Sequence, residues 1–232
     1  MIEHRPRESL GTAGSDWLKA RLHFAFAGMG NPEHMPLGTL RAWNDDEFAP
    51  GGGFAMHTHA DMEIITYVRR GAITHEDSLG NIGRTEAGDV QVMSAGSGIR
   101  HSEHNREDEP TLLFQIWIAP KAPGGEPRWS SRRFPRAGRS GRLVVLASGY
   151  PQDRDALLIR ADARILGATM IAGECIAYRL GEARRGYLVP STGRVDVNGV
   201  RLAARDGALI RDEADLTLTA LEDTELVLVD VA

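Results

Sequence analysis

Three histidines and one glutamate stand in two short segments of the chain, Gly53-Phe54-Ala55-Met56-His57-Thr58-His59 and Gly98-Ile99-Arg100-His101-Ser102-Glu103-His104. In an extended strand alternate side chains share a face, so the i, i+2 spacing sends His57 and His59 one way and His101 and Glu103 one way. If both faces turn into the same barrel, three imidazole nitrogens and one carboxylate oxygen converge. That set suits a single divalent first-row metal with positions left for water or substrate: iron first, with manganese, nickel, cobalt, copper or zinc also able to occupy it. No thiolate takes part, which argues against a structural zinc knuckle. A lone His-x-His recurs by chance, and the second, equally spaced pair is what makes a site of it. All eight histidines precede residue 105, so only the first half is expected to bind metal.

The elements that must position these groups read as strands. From about residue 38 the chain falls into short apolar and β-branched runs separated by turn signals: Met62 to Val68, a turn at Asp77-Ser78-Leu79-Gly80-Asn81, then Asp89 to Met93 and Leu112 to Ala119. Pro120 ends the last of these, because proline cannot donate to a ladder. The second half repeats the pattern at Leu143 to Leu146, Ile176 to Leu180, Gly186 to Val189, Arg194 to Val197 and Glu225 to Val229. Asn198-Gly199 predicts a tight hairpin, since both central residues of a type I′ turn need positive φ. The fold class is all-β. The best helical signal is a short stretch, Asp16-Trp17-Leu18-Lys19-Ala20, capped by Ser15 or Asp16. Domain limits are expected at 1–125 for a metal-binding barrel, 126–141 for a linker and 142–232 for a second barrel without ligands. Within residues 121–141, Arg128, Arg132, Arg133, Arg136 and Arg139 are better read as solvated or paired with acidic groups than as an anion site.

The bulk numbers exclude several function classes. At 232 residues the chain has room for two domains with their own cores. Its 27 basic and 32 acidic residues give a net charge of −5, which disfavours direct nucleic-acid binding. One cysteine, Cys175, cannot form an internal disulfide, and the first twenty residues hold no apolar run like that of a signal peptide. A cytoplasmic location is expected. No segment approaches the roughly 18 consecutive apolar residues of a membrane span, and a monomer is expected.

The run Gly51-x5-His57-x-His59-x3-Glu63-x7-Gly71 closely resembles the first cupin motif, and Gly98-x2-His101-x3-Asn105 resembles the end of the second. The strings GFAMHTHADMEIITYVRRG, HEDSLGN and MSAGSGIRHSEHN resemble the pirin branch of the cupins, and WNDD and QIWIAP match its bacterial members. These motifs span roughly residues 17 to 120. The resemblance implies a bicupin whose metal ligands are His57, His59, His101 and Glu103, with a degenerate C-terminal cupin. It implies similarity to quercetin 2,3-dioxygenase, which opens the central ring of a flavonol with O2 and releases carbon monoxide. A small aromatic or polyphenolic substrate and O2 are then the expected partners, with Glu103 as the catalytic proton acceptor. The alternative is a non-enzymatic, metal-dependent regulatory or protein-binding module. Many cupins use the glutamate after His-x-His as a ligand, whereas the pirin pattern places the carboxylate at Glu103. That leaves Glu63 as a partner orienting an imidazole or as an ordinary inward-facing hydrogen-bonded group. His104 has the wrong parity for the ligand face, His75 stands beside the barrel mouth, and Met56 and Met93 either pad a pocket or fill core.

Overall fold

A computed structural model describes all 232 residues. It is built of antiparallel strands with two short 3-10 turns, Arg7–Ser9 and Arg136–Arg139. No helix is long and apolar enough to cross a membrane. The chain divides into two units, Gly11–Phe134 with Leu157–Ala161, and Met1–Leu10 with Pro135–Ala156 and Asp162–Ala232.

The first unit is built of two sheets. Its larger sheet runs Arg128–Arg132, Val90–Ser94, Glu63–Arg70, Thr111–Ile118, Leu40–Phe48, Leu18–Leu22 and Gly11–Gly14 in spatial order, and its smaller sheet runs Gly53–His59, Ile99–His104, Ala72–Asp77 and Ile82–Glu86. Inward residues of both sheets meet, as Phe48, Val68 and Leu113 from the larger pack with Ile73 from the smaller. Alternation does this work, because one face of each strand is apolar and must find another apolar face.

The stretch expected to be helical, Asp16 to Ala20, instead feeds the strand Leu18–Leu22. Ala20 and Leu22 are buried while Lys19 is exposed, a period of two that outweighs a weak helix cap. Trp17 is drawn to the barrel end, with ring centroids 5.4 Å from Phe48 and 5.0 Å from Phe54.

The second unit repeats the plan. Strands Ile2–Arg5, Gly207–Ile210, Arg185–Thr192, Thr224–Val231, Ala163–Met170 and Val144–Ser148 follow one another in its larger sheet. The smaller sheet holds Cys175–Arg179, Asp215–Ala220, Val195–Val197 and Val200–Leu202 in the same first-fourth-second-third order as its counterpart. Asn198 and Gly199 both take positive φ, 48° and 89°, as the hairpin reading requires. In the first unit's smaller sheet His57 lies opposite His101. The facing positions in the corresponding pair of strands here include Ile176 opposite Leu218, both in an apolar core. Neither cluster of possible metal ligands includes a residue of this unit.

Two segments lie differently from the expected limits. Residues 2–5 pair with Gly207–Ile210 of the second unit, a contact across two hundred positions that leaves no local signature. Within 126–141, Arg128–Arg132 forms a strand against Val90–Ser94. The arginines of this segment are engaged: Arg128 donates to the Leu158 carbonyl at 2.6 Å, and buried Arg139 and Arg136 both pair with Glu225 at 2.6 and 3.1 Å.

Candidate metal centre and adjoining cavity

His57 and His59 come from the strand Gly53–His59, and His101 and Glu103 from its neighbour Ile99–His104. The register pairs His59 with Ile99 and His57 with His101, then slips so that Glu103 faces Phe54. The slip places the consecutive exposed residues Ala55 and Met56 between Phe54 and His57. This is a bulge, and it resets parity. Phe54 and His57, three apart, both turn inward with ring centroids 5.9 Å apart. Gly53 permits the close approach, since a Cβ there would lie 2.3 Å from the Glu103 carbonyl oxygen.

One nitrogen from each of His57, His59 and His101 lies within 4.8 Å of the others. Glu103 is not in that mutual group; its carboxylate clusters within the same limit with His75 and His101. His101 is thus common to both clusters. The tautomers follow from the partners. His57 Nδ1 donates to the Ala55 carbonyl at 2.8 Å, which leaves the Nε2 lone pair free. Burial, reinforced by the neighbouring imidazoles, pushes His101 down to about 2, and burial with His57 pushes His59 down to about 4. Both rings are neutral at physiological pH and carry a lone pair. His101 Nε2 is buried with no hydrogen-bond partner, an orphan acceptor of the kind a bound cation would satisfy.

His75 is fully buried and stands behind His101, Nδ1 to Nδ1 at 3.4 Å. Its Nε2 donates to Asp77 Oδ2 at 3.0 Å, so its own Nδ1 is the acceptor for the His101 N–H. Burial would raise the Asp77 carboxyl, but hydrogen bonds from Asn81, His75 and the Leu79 backbone hold it below the usual range. The Asp77 to Asn81 turn is therefore both a turn and the anchor of a relay, Asp77 to His75 to His101. The His75 ring stacks on Trp129 at 4.9 Å, and Trp129 fits because Gly83 beside it carries no side chain; a Cβ there would lie 2.0 Å from the indole.

Glu103 is held from three sides. Gln91 and Thr66 donate to Oε1 at 2.7 and 3.4 Å, and Gln115 donates to Oε2 at 2.6 Å. Burial nevertheless raises its carboxyl to about 7, against the lowering effect of those donors. Glu63 takes the plainer of its two roles: buried, it accepts from Ser94 Oγ at 2.6 Å and joins neither cluster. His104 is half-buried and also outside both clusters. Met93 fills core, and Met56 is 42% exposed.

His57, His59 and Glu103 border a cavity of about 510 Å³, whose other walls include Trp17, Phe54, Phe26 and Trp117. That volume lies in the usual range for small-molecule sites, and its apolar walls with few polar groups are typical of them. Asn44 and Asp46 also line it.

Residues 3–118 match the pirin family model. The chain belongs to the pirin family. This pirin also matches the quercetinase C-terminal cupin domain over residues 145–231. It is 64% identical to a pirin-like protein of Caulobacter vibrioides over the full length of both chains. It is 38% identical to the quercetin 2,3-dioxygenase of Escherichia coli, covering 100% of this chain and 99% of that one. The crystal structure of the bacterial pirin YhhW from Escherichia coli in complex with nickel(II) superposes with a TM-score of 0.93 at 36% identity, covering 100% of this pirin and 99% of that chain.

The cavity residues Asn44 and Asp46, the Gln91 and Gln115 donors and the Asp77 to His75 relay were not singled out as functional from sequence. For Asn44 and Asp46 the one signal is the polar run Asn44-Asp45-Asp46-Glu47 inside a strand that is otherwise largely apolar.

Proposed function

We propose that this pirin is a metal-dependent dioxygenase that opens the central, hydroxyl-bearing ring of flavonols with O2. The observation that carries the reading is the orphaned His101 Nε2, converging with His57 and His59 at a wall of an apolar cavity that Glu103 also borders. The names of its relatives favour the same chemistry. His57, His59 and His101 would hold the ion, with Glu103 beside them as fourth ligand. A bound transition metal would supply a Lewis acid that acidifies a substrate hydroxyl and a redox centre through which triplet O2 reacts.

The protein groups have separate tasks. The Ala55 carbonyl and His75 fix the ring orientations of His57 and His101. Glu103, buried beside the three imidazoles, accepts the proton of the substrate hydroxyl. Its three donors keep it from swinging away, and the aromatic walls exclude water. Cys175 is free and exposed, which suits a reducing cytoplasm, and we assign the protein there as a monomer.

Two outcomes are expected. Protein loaded separately with iron, manganese, nickel, cobalt, copper or zinc consumes O2 and releases carbon monoxide on addition of quercetin with at least one of these metals; an oxygen electrode that stays flat for all six contradicts the reading. Asp77→Ala leaves all four proposed ligands in place but frees His75, so metal affinity measured by chelator competition falls about 10- to 100-fold. Unchanged affinity would show that the relay does not orient His101.

A further inference from the structure

Glu103 and Asp46 border the same cavity, yet they are treated in opposite ways. Glu103 has donors on both oxygens. Asp46 is 1% exposed, and its Oδ1 is buried with no hydrogen-bond partner. Its neighbour in sequence, Asp45, points to the other face of the strand and pairs with Arg69. Two residues before Asp46, and so on its face, Asn44 has a buried Oδ1 that is likewise without a partner. Two such orphans side by side in a native strand call for an explanation, because a buried polar atom that gives up water without a replacement is destabilising. A ligand in the cavity would provide the missing partners.

We propose that Asp46, with Asn44 beside it, is the polar subsite that orients a planar, largely apolar ligand in this cavity, through a hydrogen bond that a hydroxyl of that ligand donates to the Asp46 carboxyl. The class of ligand, a hydroxylated aromatic, rests on the dioxygenase reading; the subsite rests on the orphaned atoms. Trp17 and Phe54 meet edge to face at 5.0 Å, and Phe26 and Trp117 lie 5.7 Å apart, so aromatic faces and edges wall the space. Burial first, then the Asp45 and Glu103 charges, push the Asp46 carboxyl well up, with Arg69 opposing. Burial and the neighbouring carboxylates thus disfavour an anionic ligand beside Asp46. Asp46 is in this account a specificity-determining residue, separate from the proton-accepting Glu103.

The test uses metal-loaded full-length protein, titrated without oxygen by calorimetry with quercetin, 2-naphthol and naphthalene. Asp46→Ala is expected to weaken quercetin and 2-naphthol by about tenfold, the size of one lost hydrogen bond, and to leave naphthalene unchanged. Asp46→Asn keeps a donor and an acceptor and should restore most of the loss. Metal content stays at the wild-type level, and the melting temperature does not fall, since no protein partner is lost; a structural residue would behave oppositely. Equal quercetin and 2-naphthol binding by Asp46→Ala and wild type overturns the subsite, as does an equal loss for naphthalene with a lowered melting temperature. Absence of saturable quercetin and 2-naphthol binding to wild type overturns it too. Oxygen uptake separates the two claims: turnover with unaltered binding in Asp46→Ala removes the subsite alone, and Asp46-dependent binding without turnover removes the dioxygenase reading alone.

Discussion

Glu103→Gln is expected to lower kcat for flavonol oxidation by about 10²- to 10⁴-fold, the range for loss of a positioned general base, while the protein keeps most of its metal. The carboxyl is raised to about 7 because burial outweighs three hydrogen bonds from Gln91, Thr66 and Gln115. A buried carboxyl beside the metal site can take a proton from a substrate hydroxyl. The amide of glutamine has almost the same shape but cannot accept that proton. It also sets an NH2 group against the donor of Gln91 or Gln115, so one of these amides must turn over. The three imidazoles are untouched, which is why metal content and kcat should separate. Steady-state oxygen uptake beside elemental analysis of the same samples reads both quantities. Undiminished kcat in a metal-replete variant would remove Glu103 as the base.

Much of the fold was legible. Apolar and β-branched runs bounded by turn signals located Met62 to Val68, Leu112 to Ala119 and Glu225 to Val229 close to the strands observed at Glu63–Arg70, Thr111–Ile118 and Thr224–Val231, because each must bury one face or both. Asn198-Gly199 announced its own turn. What escaped was non-local. Strand Ile2–Arg5 owes its existence to a ladder with Gly207–Ile210, and Arg139 is held by Glu225, 86 positions away. Neither partner can be inferred from its neighbours in sequence. The helical reading at Asp16 to Ala20 failed for a related reason, since a capping residue competes weakly against a ladder with Leu40–Phe48.

The site shows a similar division. Parity grouped His57 with His59, and the structure draws both toward His101, but the bulge at Ala55 and Met56 that aligns Phe54 with His57 cannot be read from spacing. Spacing also could not say that Glu103 lies nearest His75 and His101 rather than within the three-histidine group. His75, left open by its position near a turn, acquires a role only when Asp77 and His101 are seen on either side of it. Asp46 was hidden by its composition: a polar run within a strand reads as solvent-facing, and only the cavity on its far side shows otherwise.

Replacing His57 and His101 together by alanine is expected to abolish stoichiometric metal binding, the largest effect in this account. The two rings face each other across paired strands, with centroids 4.5 Å apart, and each is held so that its Nε2 lone pair is free. Removing both leaves His59 and a carboxylate, too few ligands to compete with water for a divalent ion. The second unit offers no substitute, since neither cluster of possible ligands includes a residue of it. Stability should change much less than binding, because neither ring fills the aliphatic core. The most direct measurement is elemental analysis after reconstitution and gel filtration, on wild type and the double variant in parallel. One metal per wild-type chain and none in the variant is the expected result; substoichiometric metal in wild type, or binding that survives the double change, would rule out the three-histidine site.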